Sequence, residues 1–173
     1  MNLLHDIAPG TKDEMNVIIE TPRGSNNKYE IDKETGVISL DRVMHTAQIY
    51  PVEYGFVPQT HWDDGDALDV ILLSTSPFVP GVLVRARPIA CLPMIDSGDS
   101  DTKILAVAVD DPRFKDIQDL ADVNKHTLKE ISHFFQTYKQ LQDKEVNLED
   151  WQDKKAAQAA FNRACQMYQD KQK

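Results

Sequence analysis

The spacing of apolar positions changes about two-thirds of the way along the chain, and the change separates a strand-rich part from a helical one. Met15-Asn16-Val17-Ile18-Ile19-Glu20 is β-rich and stops at the Pro22-Arg23-Gly24 break. Lys28-Tyr29-Glu30-Ile31-Asp32 and Val37-Ile38-Ser39-Leu40 flank Lys33-Glu34-Thr35-Gly36, whose glycine supplies a positive φ for a hairpin turn. Val70-Ile71-Leu72-Leu73 is apolar at every position, as a strand covered on both faces requires. Residues 82–87 and 103–109 add further strands, and Pro88 and Pro93 predict an edge, bend or bulge between Arg87 and Ile95. Past about residue 120, Leu128, Ile131, Phe135, Tyr138 and Leu141 recur every three or four residues and mark a helix face. Thr127-Leu128-Lys129-Glu130 offers a capping box for it, and Asn124 offers an equally good cap. Residues 151–167 are alanine-rich and predict a second helix with Phe161, Cys165 and Tyr168 along one stripe. Many short strands with glycine and proline turns favour a closed, antiparallel, barrel-like sheet. The pattern predicts one α+β domain over residues 1–173, sheet first and helices after it.

Charge narrows the function. The 28 acidic residues exceed the 19 basic ones and leave a formal charge of -9, which argues against a primary nucleic-acid binder. A small anionic substrate is still compatible, because metals and lysines can invert the field inside one cleft. Cys91 and Cys165 form no disulfide framework and read as buried reduced thiols. The chain lacks an 18-residue apolar stretch, so no membrane span is expected. The opening Met1-Asn2-Leu3-Leu4-His5-Asp6 has no basic region followed by an apolar run, so the expected address is cytoplasmic.

The strongest local feature is Asp64-Gly65-Asp66-Ala67-Leu68-Asp69-Val70, three carboxylates in six residues just before an apolar strand. In an extended segment Asp64 and Asp66 share a face and Asp69 opposes them, so convergence needs a local turn, which Gly65 eases. A solvated acidic turn accounts for this composition less well at Asp69, where an unpaired carboxylate at the mouth of an apolar strand is costly. Asp96-Ser97-Gly98-Asp99-Ser100-Asp101 is a second acidic run between two strands. If the runs meet, two like charges about 5 Å apart repel by roughly 3 kcal/mol at an effective dielectric of 20. Cations then become necessary, and all-oxygen ligation suits magnesium or manganese better than zinc. The offsets do not fit an EF-hand, and no P-loop is present.

These residues carry a family resemblance. The Asp64–Val70 segment is similar to the signature of the family I soluble inorganic pyrophosphatases of the small bacterial type. Lys28-Tyr29-Glu30, Asp41-Arg42, Tyr50-Pro51, Tyr54-Gly55, Arg87-Pro88, Asp96, Asp101-Thr102-Lys103 and His133-Phe134-Phe135-Gln136-Thr137-Tyr138-Lys139 resemble further family elements in the expected order. The resemblance implies a five-stranded, OB-like closed β-barrel with flanking and C-terminal α-helices. It implies hydrolysis of diphosphate to two phosphate ions by direct attack of metal-activated water, with several Mg2+ ions per site and Mn2+ or another divalent ion as substitutes. It makes Asp64, Asp69, Asp96 and Asp101 the metal ligands and Asp66 the acceptor of the water's proton. Lys28, Arg42, Tyr54, Lys103, Tyr138 and Lys139 become the phosphate-binding set, with Glu20 and Glu30 as an outer acidic shell. A homohexamer is implied as well. His45 and Glu53 depart from the residues common in relatives, proline and asparagine.

Three other readings compete. An OB-like binding module would use Tyr29, Tyr50, Tyr54 and Phe56 as stacking surfaces, which the acidic balance disfavours. A calcium-binding structural protein would fold with calcium and hydrolyse nothing. Hydrolysis of a nucleotide or polyphosphate is the nearer rival, although the sequence shows no base-recognition element.

Overall fold

The computed structural model describes residues 1–171. Its strands are β1 (Met15–Thr21), β2 (Asn27–Ile31), β3 (Ile38–Val43), β4 (Glu53–Phe56), β5 (Asp69–Leu73), β6 (Leu83–Asp96), β7 (Asp99–Ala108) and β8 (Val146–Leu148). Helix α1 (Lys125–Thr137) precedes β8, and α2 (Lys154–Lys171) follows it.

β5 and β7 show why apolar runs here need cover on both faces. Val70, Leu72, Ile104 and Ala106 join one core cluster, in which Ala157, Ala160, Phe161 and Ala164 of α2 pack against the sheet. Their alternates Ile71, Leu73, Leu105 and Val107 join the other, with Ile131, Phe134 and Phe135 of α1. A strand's side chains alternate between faces, so a strand between two helices has no polar position to spare. Each large apolar side chain buried this way contributes about 1.5–3 kcal/mol.

The expectation of a five-stranded, antiparallel, OB-like closed barrel is corrected. The main sheet has six strands in the order β1-β4-β5-β7-β6-β8, with a further antiparallel register between β1 and β6. β8 leaves the sheet a free edge, β5 and β7 pair in parallel, and β2 and β3 form a separate two-stranded sheet. The fold is a mixed α+β sheet rather than a five-stranded barrel. Turn residues announce hairpins, but a parallel pair is joined through a crossover, here β6, and leaves no local mark in sequence.

Smaller differences have equally local causes. Asn124, not Thr127, caps α1, accepting from the backbone N–H of His126 at 2.8 Å and of Thr127 at 3.4 Å. The apolar stripe of α1 ends at its C-cap Tyr138; Leu141 lies in a short 3-10 turn and is 68% exposed. Pro88 does mark a bulge, inside a β6 of 14 residues that both prolines leave unbroken.

Candidate active site

Two β-bulges aim acidic side chains that strict alternation would point elsewhere. In β1 the register passes from Ile19 opposite Gly55 to Thr21 opposite Tyr54, leaving Glu20 as the extra residue. Between β2 and β3 it passes from Lys28 opposite Arg42 to Tyr29 opposite Leu40, leaving Asp41 extra. A bulge kinks one strand and re-aims its side chains. Glu20 and Asp41 accordingly line the same cavity, of about 370 Å³.

The loop before β5 takes the turn that convergence demanded. Asp66 donates its backbone N–H to Asp64 Oδ1 at 3.0 Å, and Gly65 sits at φ +90°, where a side chain would be strained. On the next strands, the parallel register sets Asp69 directly opposite Lys103. Lys103 Nζ donates to Asp69 Oδ2 at 2.7 Å, to Asp101 Oδ2 at 2.9 Å and to the Tyr54 hydroxyl at 3.0 Å. The Tyr54 hydroxyl donates in turn to Asp69. The ammonium also lies 5.1 Å from the Tyr54 ring centroid and 5.3 Å from that of Phe135. Asp96 ends β6, and from the end of α1 Lys139 pairs with it while Tyr138 Oη donates to it at 3.5 Å. Lys28 contacts Glu30 and approaches Asp41 Oδ2 at 3.6 Å.

All thirteen residues expected at the site line this one cavity: Glu20, Lys28, Glu30, Arg42, Tyr54, Asp64, Asp66, Asp69, Asp96, Asp101, Lys103, Tyr138 and Lys139. Lys33, Asp41, Ser97 and Asp99 join them. Asp41 was hidden because only the bulge turns it inward. Lys33 gave no signal, since its reach depends on the shape of the hairpin turn. His45 and Glu53 do not line the cavity. Glu53 is fully buried, accepting from the Ser74 hydroxyl at 2.7 Å and the Arg23 backbone N–H at 3.0 Å.

The electrostatics follow from nine carboxylates crowded with five basic side chains. Burial, reinforced by the Asp69 charge, pushes Glu20 up to about 8. Burial likewise pushes Asp64 up to about 6, with Asp69, Asp101 and Asp66 adding to it. Burial also raises Asp101 despite Lys103 beside it. At Asp96 the opposing burial is outweighed by the Lys139 hydrogen bond and charge, so its carboxyl sits below the ordinary range. Lys103 is held well above the lysine range: burial opposes its charge, but Asp101 and Asp69 outweigh burial.

The donor set fits divalent cations. Its acids are all oxygen donors, and burial with neighbouring carboxylates raises three of them, Glu20, Asp64 and Asp101. Among the described residues no three acidic, thiol or imidazole groups close around a single point; Lys103 stands between Asp69 and Asp101, Lys139 pairs with Asp96, and Lys33 pairs with Asp66. The buried Nε and Nη2 of Arg42 find no acceptor in the protein, as expected of a guanidinium facing an oxyanion. A cavity with these properties handles a small, highly charged anion together with metal ions.

Comparison with known proteins makes that class definite. The family model described as inorganic pyrophosphatase matches residues 17–169. The inorganic pyrophosphatase of Picrophilus torridus is 41% identical over 170 residues, covering 97% of this chain and 96% of that protein. Soluble inorganic pyrophosphatase 1 of Arabidopsis thaliana is 42% identical over 163 residues, covering 94% and 77%. The crystal structure of the Thermus thermophilus inorganic pyrophosphatase superposes with a TM-score of 0.93 at 42% identity, covering 98% of this chain and 99% of that one. The chain belongs to the family I soluble inorganic pyrophosphatases. It is a hydrolase, and its reaction is the Mg2+-dependent hydrolysis of inorganic diphosphate. No helix among the described residues is long and apolar enough to cross a membrane.

Proposed function

We propose a division of labour among the cavity residues, on the strength of one observation: acids from two distant acidic runs and cations from β2, β3, β7 and the end of α1 border a single cavity. Asp64, Asp69, Asp96 and Asp101 are the residues that would hold Mg2+. When bound, the ions supply positive charge that neutralises diphosphate oxygens and makes coordinated water more acidic. Asp66 accepts the proton of the attacking water. Arg42, with its two unpartnered donors, binds the phosphoryl group under attack. Lys28, Tyr138 and Lys139 hold the departing phosphate, and Tyr54 and Lys103 complete the phosphate-binding set while fixing Asp69. Glu20 and Glu30 form an outer acidic layer. A P–O bond to water forms as the bridging P–O bond breaks, with no covalent protein intermediate.

The reading assigns residues 1–173 to one catalytic domain, acting in the cytoplasm as a homohexamer. Leu40 and Val43, each 55% exposed on β3, supply apolar surface that such an assembly would cover. Light scattering in solution tests the oligomer, and cell fractionation tests the address.

The test of the mechanism is Asp66→Asn, with turnover and Mg2+ affinity measured side by side. Turnover should fall by about 10²–10⁴-fold, the usual contribution of a general base, with Mg2+ binding retained. A near-normal rate with intact metal binding would remove Asp66 from proton transfer.

A further inference from the structure

The β2–β3 hairpin carries Lys28, Asp41 and Arg42 to the cavity but shares no ladder with the main sheet. Strand β2 is fixed to β1 from its middle to its turn end, where Tyr29 N–H donates to Thr21 Oγ1 at 2.9 Å and Ile31 N–H donates to Glu20 Oε1 at 2.7 Å. The hairpin tip is held from two other directions. On one side Asn2 packs so closely on Gly36 that an added Cβ would meet Asn2 Cγ at 2.7 Å. On the other, Lys33 reaches across the cavity mouth to the loop before β5. There its ammonium pairs with Asp66 and donates to the Gly65 carbonyl at 3.4 Å. Lys33 thus engages both the side chain and the backbone of that loop.

We infer that Lys33 is a positioning residue for the reaction, holding the Asp66 carboxylate in its working orientation and tying the hairpin tip to the acidic loop. This inference rests on the proton-accepting role proposed for Asp66. The geometry separates rate from stability. The side chains of Lys33 and Asp66 are 59% and 55% exposed, and exposed pairs contribute little to folding. Orientation of a reacting group is far more sensitive, because small displacements carry large rate penalties.

A double-mutant cycle on the full-length, Mg2+-loaded enzyme tests the inference, using Lys33→Ala, Asp66→Asn and the pair, with diphosphate as substrate. Lys33→Ala should lower kcat by about 10-fold, as losses of supporting partners do. KM, Mg2+ affinity and the melting temperature should stay near those of the parent. Lys33→Arg, which keeps charge and reach, should restore most of the lost rate. In the Asp66→Asn background Lys33→Ala should change kcat no further. If Asp66→Asn is impaired but Lys33→Ala still costs the same factor on top of it, Lys33 does not act through Asp66 and the inference is overturned alone. If Asp66→Asn itself turns over normally, the proton-accepting role falls and the inference falls with it.

Discussion

Lys103 and Lys33 make the same kind of contact at opposite depths of one cavity. Lys103 lies within the sheet, its side chain 2% exposed, against Asp69 and Asp101 at 17% and 10%. Lys33 stands at the rim, more than half exposed, against an Asp66 that is exposed to a similar degree. Depth decides what an ion pair does. In the interior, removing one partner strands the other charge, and the penalty reaches several kcal/mol. At the rim water replaces a lost partner readily, so the pair can govern orientation without holding up the fold.

The comparison breaks first at the inner wall, where Asp69 would hold Mg2+. Asp69→Asn keeps the shape of the inner wall but removes a charge from it. Isothermal titration should find Mg2+ affinity reduced by at least about 10²-fold, beyond the loss seen for outer partners, with turnover collapsing in parallel. Unchanged Mg2+ binding would remove Asp69 from the ligand set. Lys103→Met comes next. With Asp69 and Asp101 left facing each other, denaturant unfolding without metal should show a loss of about 3–5 kcal/mol. Added Mg2+ should recover part of it, since a cation again stands between the acids.

A pH series sharpens the contrast. Glu20 is held at about 8 in the folded chain by burial and by Asp69, against an ordinary 4.5. Between those values the folded state retains a proton that the unfolded chain has released. Its contribution to stability is therefore greatest below pH 4.5 and is lost as pH rises through about 8. Unfolding midpoints without metal should decline across that window, and Glu20→Gln should flatten the decline. The smallest effect belongs to the rim, where Lys33→Ala should change unfolding free energy by less than about 1 kcal/mol. A larger change would mean that the latch also supports the fold.

The sequence exposed the acidic loop and the strands around it because both have local signatures: closely spaced aspartates, and apolar runs broken by glycine and proline. The Gly65 turn needed to converge Asp64 and Asp66 was legible for the same reason. The parallel pairing that sets Lys103 beside Asp69 was not, because residues 34 apart register through an intervening strand that neither segment encodes. Asp41 was missed because alternation assigns neighbours to opposite faces, and Asp41 and Arg42 reach one cavity only through a register skip. β8, three residues long, was too short to read as a strand. Tyr138 was correctly placed on the α1 face, but the helix ends there, so Lys139 gains its direction from the following turn instead of from helical spacing.

The two skipped residues have a consequence for how such a pocket can evolve. A point substitution at Glu20 or Asp41 alters one side chain, whereas deleting either residue would regularise the ladder, because the residues flanking it already oppose adjacent residues of the partner strand. The shortened strand would pair regularly while the pocket lost an acid and the kink that accompanies it. Single-residue length variants at these positions would therefore select a more regular sheet against a working catalyst, and lineages that keep the activity should hold the length of these two strands more firmly than their composition.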